Sequence, residues 1–193
     1  MPNSEAVQTD EQIVTATLLS PETFGVIIER YEEKLRRYIQ RLGVRIKEDQ
    51  QDVLQEIFIK AYRNLNSFDT GLSFSSWIYR IAHNEAISWY RKHSVRPEGH
   101  LIAEGDELLM LLSAKDTSSE VKFDQLLNAE EVTRALEVID LKYREVLILR
   151  YFEHKEYDEI SDILKIPIGS VGTLLHRGKK QLSDALNRDA LRI

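Results

Sequence analysis

Apolar residues recur every three or four positions in the N-terminal half of the chain, the repeat of an amphipathic helix. The first run follows Ser20 and Pro21, a pair suited to a helix start, and it stops at Gly43. A second run follows Asp49, a good N-cap residue, and a third follows turn-forming residues at 66–73. These patterns predict three successive helices.

The pattern changes between residues 94 and 127. Proline and glycine interrupt the repeat here, so we expect a flexible linker, with one local helix around 107–112. Asn128 and Glu131 then form a capping-box pattern that opens a second helical region. No alternating strand pattern of useful length occurs, so the predicted fold class is all-α.

A helix-turn-helix pattern lies at residues 157–182. A short helix at 158–164 is expected to bury Ile160 and Ile163, and residues 165–169 are expected to form the turn. Ser170 would cap the second helix, which ends in a basic cluster. Such a helix is suited to the DNA major groove.

The candidate DNA contacts all lie on this second helix. Thr173, His176 and Arg177 would be near base edges, and Lys179 and Lys180 near phosphates. A plain helical hairpin with a solvated basic end explains the same pattern, and both interpretations stay open on the residues alone.

Composition narrows the class of protein. The 193 residues are 42% apolar and 30% charged, with no cysteine, so disulfides and thiolate zinc sites are excluded. The longest apolar run is far shorter than the roughly 20 residues of a membrane span, and no secretory signal is visible. We therefore expect a cytoplasmic protein.

The net charge of −6 is unevenly distributed. Lysine and arginine minus aspartate and glutamate give −3 for residues 1–20, +2 for 21–93, −4 for 94–128 and −1 for 129–193. Non-specific DNA binding by such a chain should be weak, so DNA affinity is expected from local patches or from a larger partner.

Four segments resemble a known family. DVLQEIFIKAYRNLNSF and FSSWIYRIAHNEAISWYRK resemble region 2 of bacterial sigma factors, and REVLILRYF and YDEISDILKIPIGSV resemble region 4. With no third domain between them, this is the layout of the extracytoplasmic-function group. The resemblance implies a region 2 helical bundle at residues 10–93, a linker at 94–127 and a region 4 helix-turn-helix domain at 128–190.

In region 2 the resemblance implies three groups of contacts. Asp52, Gln55 and Glu56 match the face that contacts the β′ clamp helices of RNA polymerase, although chemistry alone favours a solvated helix face. The residues that match the surroundings of a flipped −10 base are Asn64, Phe68, Ile81 and Asn84. Trp89, Arg91 and Lys92, beside Tyr90, suit single-stranded DNA.

Simpler interpretations exist for these residues too. Phe68 and Ile81 would otherwise be assigned to the core, together with Trp77. The segment from Trp89 to Lys92 is explained equally well as an amphipathic helix end with extended cationic side chains.

The implied function is non-enzymatic. The partners would be core RNA polymerase, through its β′ clamp helices and β flap, promoter DNA at the −35 and −10 elements, and an anti-sigma factor. The chain would stabilise the melted −10 strand and need no cofactor and no metal.

Several residues depart from the family pattern. Gly172 and Leu174 stand where basic residues are usual in the recognition helix, and Gly178 stands where alanine is common. Two lost cations should lower −35 affinity, and each glycine should cost the helix roughly 1 kcal/mol. The −35 bases would then be read by Ser170, Thr173, His176 and Arg177. Ser88 replaces a frequent aspartate, and His154 replaces a turn glycine.

Two other classes of protein fit parts of the sequence less well. A stand-alone DNA-binding regulator would use only the C-terminal motif and leaves the region 2 resemblance unexplained. A helical hydrolase or metal protein is disfavoured because the histidines share no ligand spacing; they are His83, His93, His100, His154 and His176.

Overall fold

The computed structural model describes residues 8–93 and 129–190, and within them the regular secondary structure is helical. The N-terminal part contains α1 (Asp10–Leu19), α2 (Phe24–Leu42), α3 (Lys47–Asn64) and α4 (Phe74–His93). The C-terminal part contains α5 (Ala129–Val138), α6 (Leu141–Leu147), α7 (Tyr157–Leu164) and α8 (Ile168–Ala190). The predicted all-α fold class is confirmed.

Contacts divide the chain into two compact units, one built from most of residues 8–93 and the other containing α5 to α8. The predicted linker at 94–127, its local helix at 107–112 and the capping residue Asn128 lie outside the described residues. The domain limits therefore stay predictions.

Helix α1 was not predicted: residues 1–20 were described only by their net charge of −3, and the first predicted helix follows Ser20 and Pro21. The Thr9 hydroxyl accepts a hydrogen bond from the backbone of Gln12, whose side chain accepts one from the Thr9 backbone, so both orphan donors are satisfied. Ile13 and Val14 are fully buried, whereas Leu19 is exposed. Apolar side chains thus lie on more than one side of the helix, which hides the usual stripe.

The other helices of the first unit lie close to their predicted positions. Pro21 opens a 3₁₀ turn (Pro21–Thr23) that leads into α2, rather than opening α2 itself. Asp49 is not the N-cap of α3, which begins at Lys47 after Ile46. Asp49 lies in the first turn, where its negative charge still favours the positive end of the helix dipole.

An aromatic cluster joins α4 to the turn before it. Phe68 packs against Phe74 and Trp77, with ring centroids 5.4 and 5.2 Å apart, and Phe74 also meets Tyr31 of α2 at 5.7 Å. Trp77, expected in the core, is half-buried at the edge of this cluster. The cluster therefore connects the segment before α4 to the interior of the unit.

The second unit is built around α8, which packs on α5, α6 and α7. Gly178 of α8 faces Leu147 of α6, and a Cβ at position 178 would lie 3.2 Å from the Leu147 side chain and 3.3 Å from Tyr143. This glycine was expected only to weaken the helix. Its physical role is instead to allow the two helices to approach closely.

The helix-turn-helix boundaries differ from the prediction by a few residues. Helix α7 ends at Leu164, and Lys165 reverses the chain in the left-handed conformation at φ 55°. Gly169 and Ser170 belong to α8, which begins at Ile168, so Gly169 is not a turn residue and Ser170 is not the cap. The turn is therefore shorter than expected.

His154 also lies in the left-handed region, at φ 52°, at the position where a turn glycine was expected. Histidine is among the residues that adopt this conformation more readily than most. The turn before α7 thus keeps the backbone shape that the family pattern implies.

Candidate nucleic-acid interface

Asp52, Gln55 and Glu56 are all exposed on α3. Their spacing of three and four positions places them on one face of the helix. The opposite side of the same helix carries buried Val53, Leu54 and Ile57. The face predicted to contact polymerase is therefore an accessible carboxylate and amide surface.

A surface groove runs beside this face between α2 and α3. Gln55 contributes to its wall, and the remaining lining is mainly apolar: Phe24, Ile28, Phe58, Ile59, Tyr62 and Arg63. Tyr62 is exposed and meets the Phe24 ring at 5.2 Å. The polar α3 face is thus continuous with an apolar surface.

Phe68 is only 8% exposed because of its contacts in the aromatic cluster. This burial agrees with the packing interpretation, and the predicted role beside a flipped base stays a prediction. Asn64, at the end of α3, is exposed, and its side-chain amide donates to the Lys60 carbonyl at 2.8 Å.

Ile81 and Asn84 lie three positions apart on α4, together with Trp77, so the three share one side of the helix. Ile81 is half-buried and Asn84 is exposed. The structure thus brings an apolar side chain and an amide together beside the aromatic cluster. Such a pair can pack against a base and hydrogen-bond its edge.

The end of α4 presents a further aromatic surface. Trp89 is stacked on His93, with ring centroids 4.5 Å apart and planes 19° apart. Arg91 and Lys92 are exposed between them in the chain. The sequence interpretation did not include His93 among the residues of this DNA surface. Its spacing of four positions from Trp89 on a helix nevertheless indicates a side-chain contact.

His83, on the same helix, is held neutral at pH 7. Burial, the larger cause, and the positive charge of Arg91 together lower the pKa of its imidazole to about 4. Its Nδ1 lies 3.5 Å from the Tyr38 hydroxyl. Within the described residues, no group of three or more histidine, aspartate or glutamate side chains could hold a metal ion.

Helix α8 has two distinct faces. Val171, Leu174, Leu175 and Leu182 are buried, as predicted from their spacing. The exposed or half-buried positions include five of the predicted DNA contacts: Thr173, His176, Arg177, Lys179 and Lys180. Four of these, at 173, 176, 177 and 180, follow helical spacing on one face. The predicted base and phosphate contacts are therefore accessible together.

Ser170 differs from the other predicted DNA contacts, because it is only 6% exposed in the first turn of α8. Its backbone N–H donates to the Pro167 carbonyl at 2.8 Å. A base contact by its side chain stays a prediction that the burial does not favour.

Gly172 lies beside Tyr157 of α7, whose ring would be 3.6 Å from a Cβ at position 172. Tyr157 is exposed, and the Arg150 guanidinium lies 5.5 Å from its ring centroid. Arg150 is also paired with Glu156 at 2.8 Å. The Tyr157 ring and the paired Arg150 guanidinium thus lie close to Gly172, the position where the family usually has a basic residue.

The two all-helical units, one with an exposed carboxylate face and the other with a helix-turn-helix, match the two conserved regions of a known class of protein, the sigma-type transcription factors. Residues 27–96 match the family model of sigma-70 region 2, and residues 129–182 match that of sigma-70 region 4. The matches occur in the order that the motifs predict.

Similar proteins identify the group within that class. The chain is 34% identical over 170 residues to the ECF RNA polymerase sigma factor SigW of Bacillus subtilis, with 86% of this chain and 89% of the relative covered. It is 32% identical over 180 residues to the ECF RNA polymerase sigma-E factor of Haemophilus influenzae, covering 84% and 87%. The chain belongs to the extracytoplasmic-function sigma factors, which direct RNA polymerase to promoters.

Solved structures share the fold. CnrH in complex with the cytosolic domain of CnrY matches with a TM-score of 0.69 and 21% identity, covering 93% of this chain and 98% of that one. The sigma factor RpoE in complex with the anti-sigma factor NepR, from Bartonella quintana, matches with a TM-score of 0.61 and 22% identity, covering 85% and 96%. Within the described residues, no helix is long and apolar enough to cross a membrane.

Proposed function

We propose that the first unit binds core RNA polymerase and captures the unpaired −10 strand while α8 of the second unit docks on the −35 duplex. The observation that carries the proposal is that the matched residues other than Phe68 and Ser170 are exposed or half-buried on α3, α4 and α8. The binding energy for the open strand shifts the promoter toward the melted state. The chain performs no chemistry itself and works in the cytoplasm, where the polymerase is.

The polymerase contact is assigned to Asp52, Gln55 and Glu56, facing the β′ clamp helices. All three side chains are exposed, so binding needs no rearrangement of the unit's core. Two carboxylates on one face give the surface a negative charge that a basic partner surface would complement. The second unit would contact the β flap.

Charge reversal on α3 tests this contact. The variant Glu56→Lys should bind purified core polymerase about tenfold more weakly, because it places a cation against a basic partner surface. Glu29→Lys is the matched control, since it makes the same change at an exposed carboxylate on α2 that lies outside both the α3 face and the lining of the groove beside it. Equal affinity of both variants and wild type would contradict the assignment.

The −10 strand is assigned to the surface formed by Asn64, Ile81, Asn84 and the end of α4. Trp89 offers a ring for base stacking, and Arg91 and Lys92 are exposed cations suited to phosphates. Phe68 supports this surface from the aromatic cluster. Base extrusion costs a few kcal/mol, which stacking and amide hydrogen bonds can offset.

The −35 element is assigned to Thr173, His176 and Arg177 at base edges and to Lys179 and Lys180 at phosphates, with Ser170 at the helix start. Gly172 and Leu174 supply no cation, and Leu174 is buried, so its position is used for packing. We therefore propose weak −35 binding. Fluorescence anisotropy of the chain with a −35 duplex checks it, and tight, strongly salt-dependent binding would refute it.

An anti-sigma factor is proposed as a regulatory partner. A structural relative, RpoE of Bartonella quintana, was solved in complex with the anti-sigma factor NepR. In this chain, the apolar groove beside Gln55 and the exposed α8 face are surfaces that such a partner could cover. Its identity and the signal that releases it are separate questions.

A further inference from the structure

An acidic side chain of α1 binds the first residue of α4, which packs against Phe68. The Glu11 carboxylate accepts a hydrogen bond from the Phe74 backbone N–H at 3.1 Å, across 63 positions of sequence. Phe74 is the first residue of α4, so its N–H has no acceptor within its own helix. Glu11 therefore supplies the missing acceptor from another element.

Ser73 also caps the start of α4. The Ser73 hydroxyl accepts from the Ser76 backbone at 3.3 Å, and the Ser73 carbonyl accepts from the Trp77 backbone at 3.2 Å. The negative charge of Glu11 also lies at the positive end of the α4 dipole, where it is favourable. The start of α4 is thus capped twice: locally by Ser73, and by the charged side chain of Glu11 from another helix.

The start of α1 is fixed against α2 by Asp10. One Asp10 oxygen pairs with the Arg30 guanidinium at 2.7 Å, and the other accepts a hydrogen bond from the Tyr31 hydroxyl. Burial raises the pKa of Tyr31, and the Asp10 hydrogen bond raises it further, so the hydroxyl stays a donor. Helix α1 cannot shift without breaking these contacts. Asp10 therefore also fixes the position of the adjacent residue, Glu11.

The aromatic cluster extends this anchorage to the proposed −10 site. Phe74 is fully buried between Tyr31, Phe68 and Trp77, with centroid distances of 5.7, 5.4 and 5.5 Å. Phe68 follows the 3₁₀ turn Leu65–Ser67 and has no helix of its own to hold it. Its position therefore depends on Phe74, whose backbone is bonded to Glu11.

We propose that Glu11 is a positioning residue for capture of the −10 strand. It holds the start of α4, and through Phe74 it holds the aromatic cluster and the turn between Asn64 and Phe68. The inference rests on the proposed function, because it concerns the same −10 site. Since Glu11 lies on α1 and the proposed polymerase face lies on α3, its removal should separate the two activities.

The test compares Glu11→Ala with Glu11→Gln in the full chain assembled with core polymerase. The probe is a single-stranded oligonucleotide carrying the non-template −10 strand of a promoter that the wild-type holoenzyme transcribes. Glu11→Ala should bind it about fivefold more weakly, because only part of the stabilisation from a hydrogen bond to a charged group, which in full would correspond to about tenfold or more, is passed on to the −10 site. Glu11→Gln keeps an oxygen acceptor and should recover most of the affinity.

Further measurements make the outcome specific. Affinity for core polymerase should stay near wild type for Glu11→Ala, whereas its thermal midpoint should fall by a few degrees and recover in Glu11→Gln, because one hydrogen bond at the start of α4 is lost and then restored. Glu29→Ala, which removes an exposed carboxylate from α2, should leave strand binding unchanged. In a Trp89→Phe background, Trp77 is the remaining tryptophan, and its emission should shift in Glu11→Ala but not in Glu11→Gln.

Unchanged strand binding in Glu11→Ala would overturn the inference and leave the proposed function standing. Equal losses of polymerase and strand affinity would also overturn it, because α1 would then be a general stabiliser. A wild-type holoenzyme that failed to bind the strand would overturn the proposed −10 site itself and the inference with it.

Discussion

The two units separate packing from binding in different ways. In the second unit, one helix does both tasks with opposite faces: Leu174 and Leu175 are buried, while His176 and Lys180 are exposed. In the first unit, the proposed −10 site shares side chains with the core, since Phe68 is buried in the aromatic cluster that α4 and α2 complete. Substitutions should therefore affect stability and DNA binding together in the first unit and separately in the second.

The largest expected effect is at Phe68. Phe68→Ala should lower the free energy of unfolding of the first unit by about 3 kcal/mol, because it leaves a cavity beside Phe74 and Trp77. It should also weaken −10 strand binding. Urea unfolding followed by tryptophan fluorescence measures the first effect, since both tryptophans, Trp77 and Trp89, lie in this unit.

Arg177→Ala is the contrasting variant in the second unit. It removes an accessible cation from α8, so −35 binding should fall while stability changes by less than about 0.5 kcal/mol. If Arg177→Ala destabilised its unit as much as Phe68→Ala does, the contrast between the units would be wrong.

The next effect is a pH dependence confined to the first unit. The pKa of His83 is about 4 in the folded chain, below the ordinary 6.5, so acidification protonates the unfolded state first. The stabilising contribution is complete above pH 6.5 and declines as the pH falls toward 4. The loss by pH 5 should reach about 2 kcal/mol.

Urea unfolding at pH 7 and pH 5, compared between wild type and His83→Gln, isolates this contribution because glutamine does not titrate. Wild type should lose more stability than the variant over this interval. An identical loss in both proteins would show that other groups cause the acid sensitivity.

A smaller effect is expected from two glycines of α8. Gly178→Ala should destabilise the second unit by about 1 kcal/mol, because the added methyl group crowds Leu147 and Tyr143. Gly169→Ala, where nothing lies within 4 Å, should stabilise the helix by about 0.5 kcal/mol. Hydrogen exchange of α6 and α8 peptides measures both, and stabilisation by Gly178→Ala would contradict the close packing.

The smallest effect on stability is expected at the basic end of α8. Replacing Lys179 and Lys180 by alanine should leave unfolding unchanged but reduce the magnitude of the log–log salt dependence of −35 binding by about 2. Lys142→Ala on α6, an exposed lysine outside the proposed site, is the control. An unchanged slope in the double variant would exclude these lysines from phosphate contact.

Sequence patterns predicted the parts of the fold that depend on local periodicity. The buried residues Ile160, Ile163 and Val171 and the exposed Glu56 lie as expected, because helical spacing alone decides which face they occupy. Helix α1 was missed because its apolar side chains do not form a single stripe, and it is held by the bonds of Asp10 to α2 and of Glu11 to α4.

The remaining errors concern interactions that sequence spacing does not reveal. The Glu11–Phe74 hydrogen bond joins residues 63 positions apart and depends on the packing of α1. Asp49 and Ser170 were misplaced as caps because each lies within the first turn of a helix that begins earlier than the capping pattern suggests. The role of Gly178 was missed because the sequence shows that glycine lowers helix propensity but does not show that Leu147 packs against this position.

Promoter-specific transcription in a purified system tests the central claim most directly. Core polymerase should produce discrete run-off transcripts from a promoter library when the chain is added, and their start sites should lie downstream of one common pair of −35 and −10 elements. Transcripts that were the same with and without the chain, from a polymerase that did not bind it, would contradict the account.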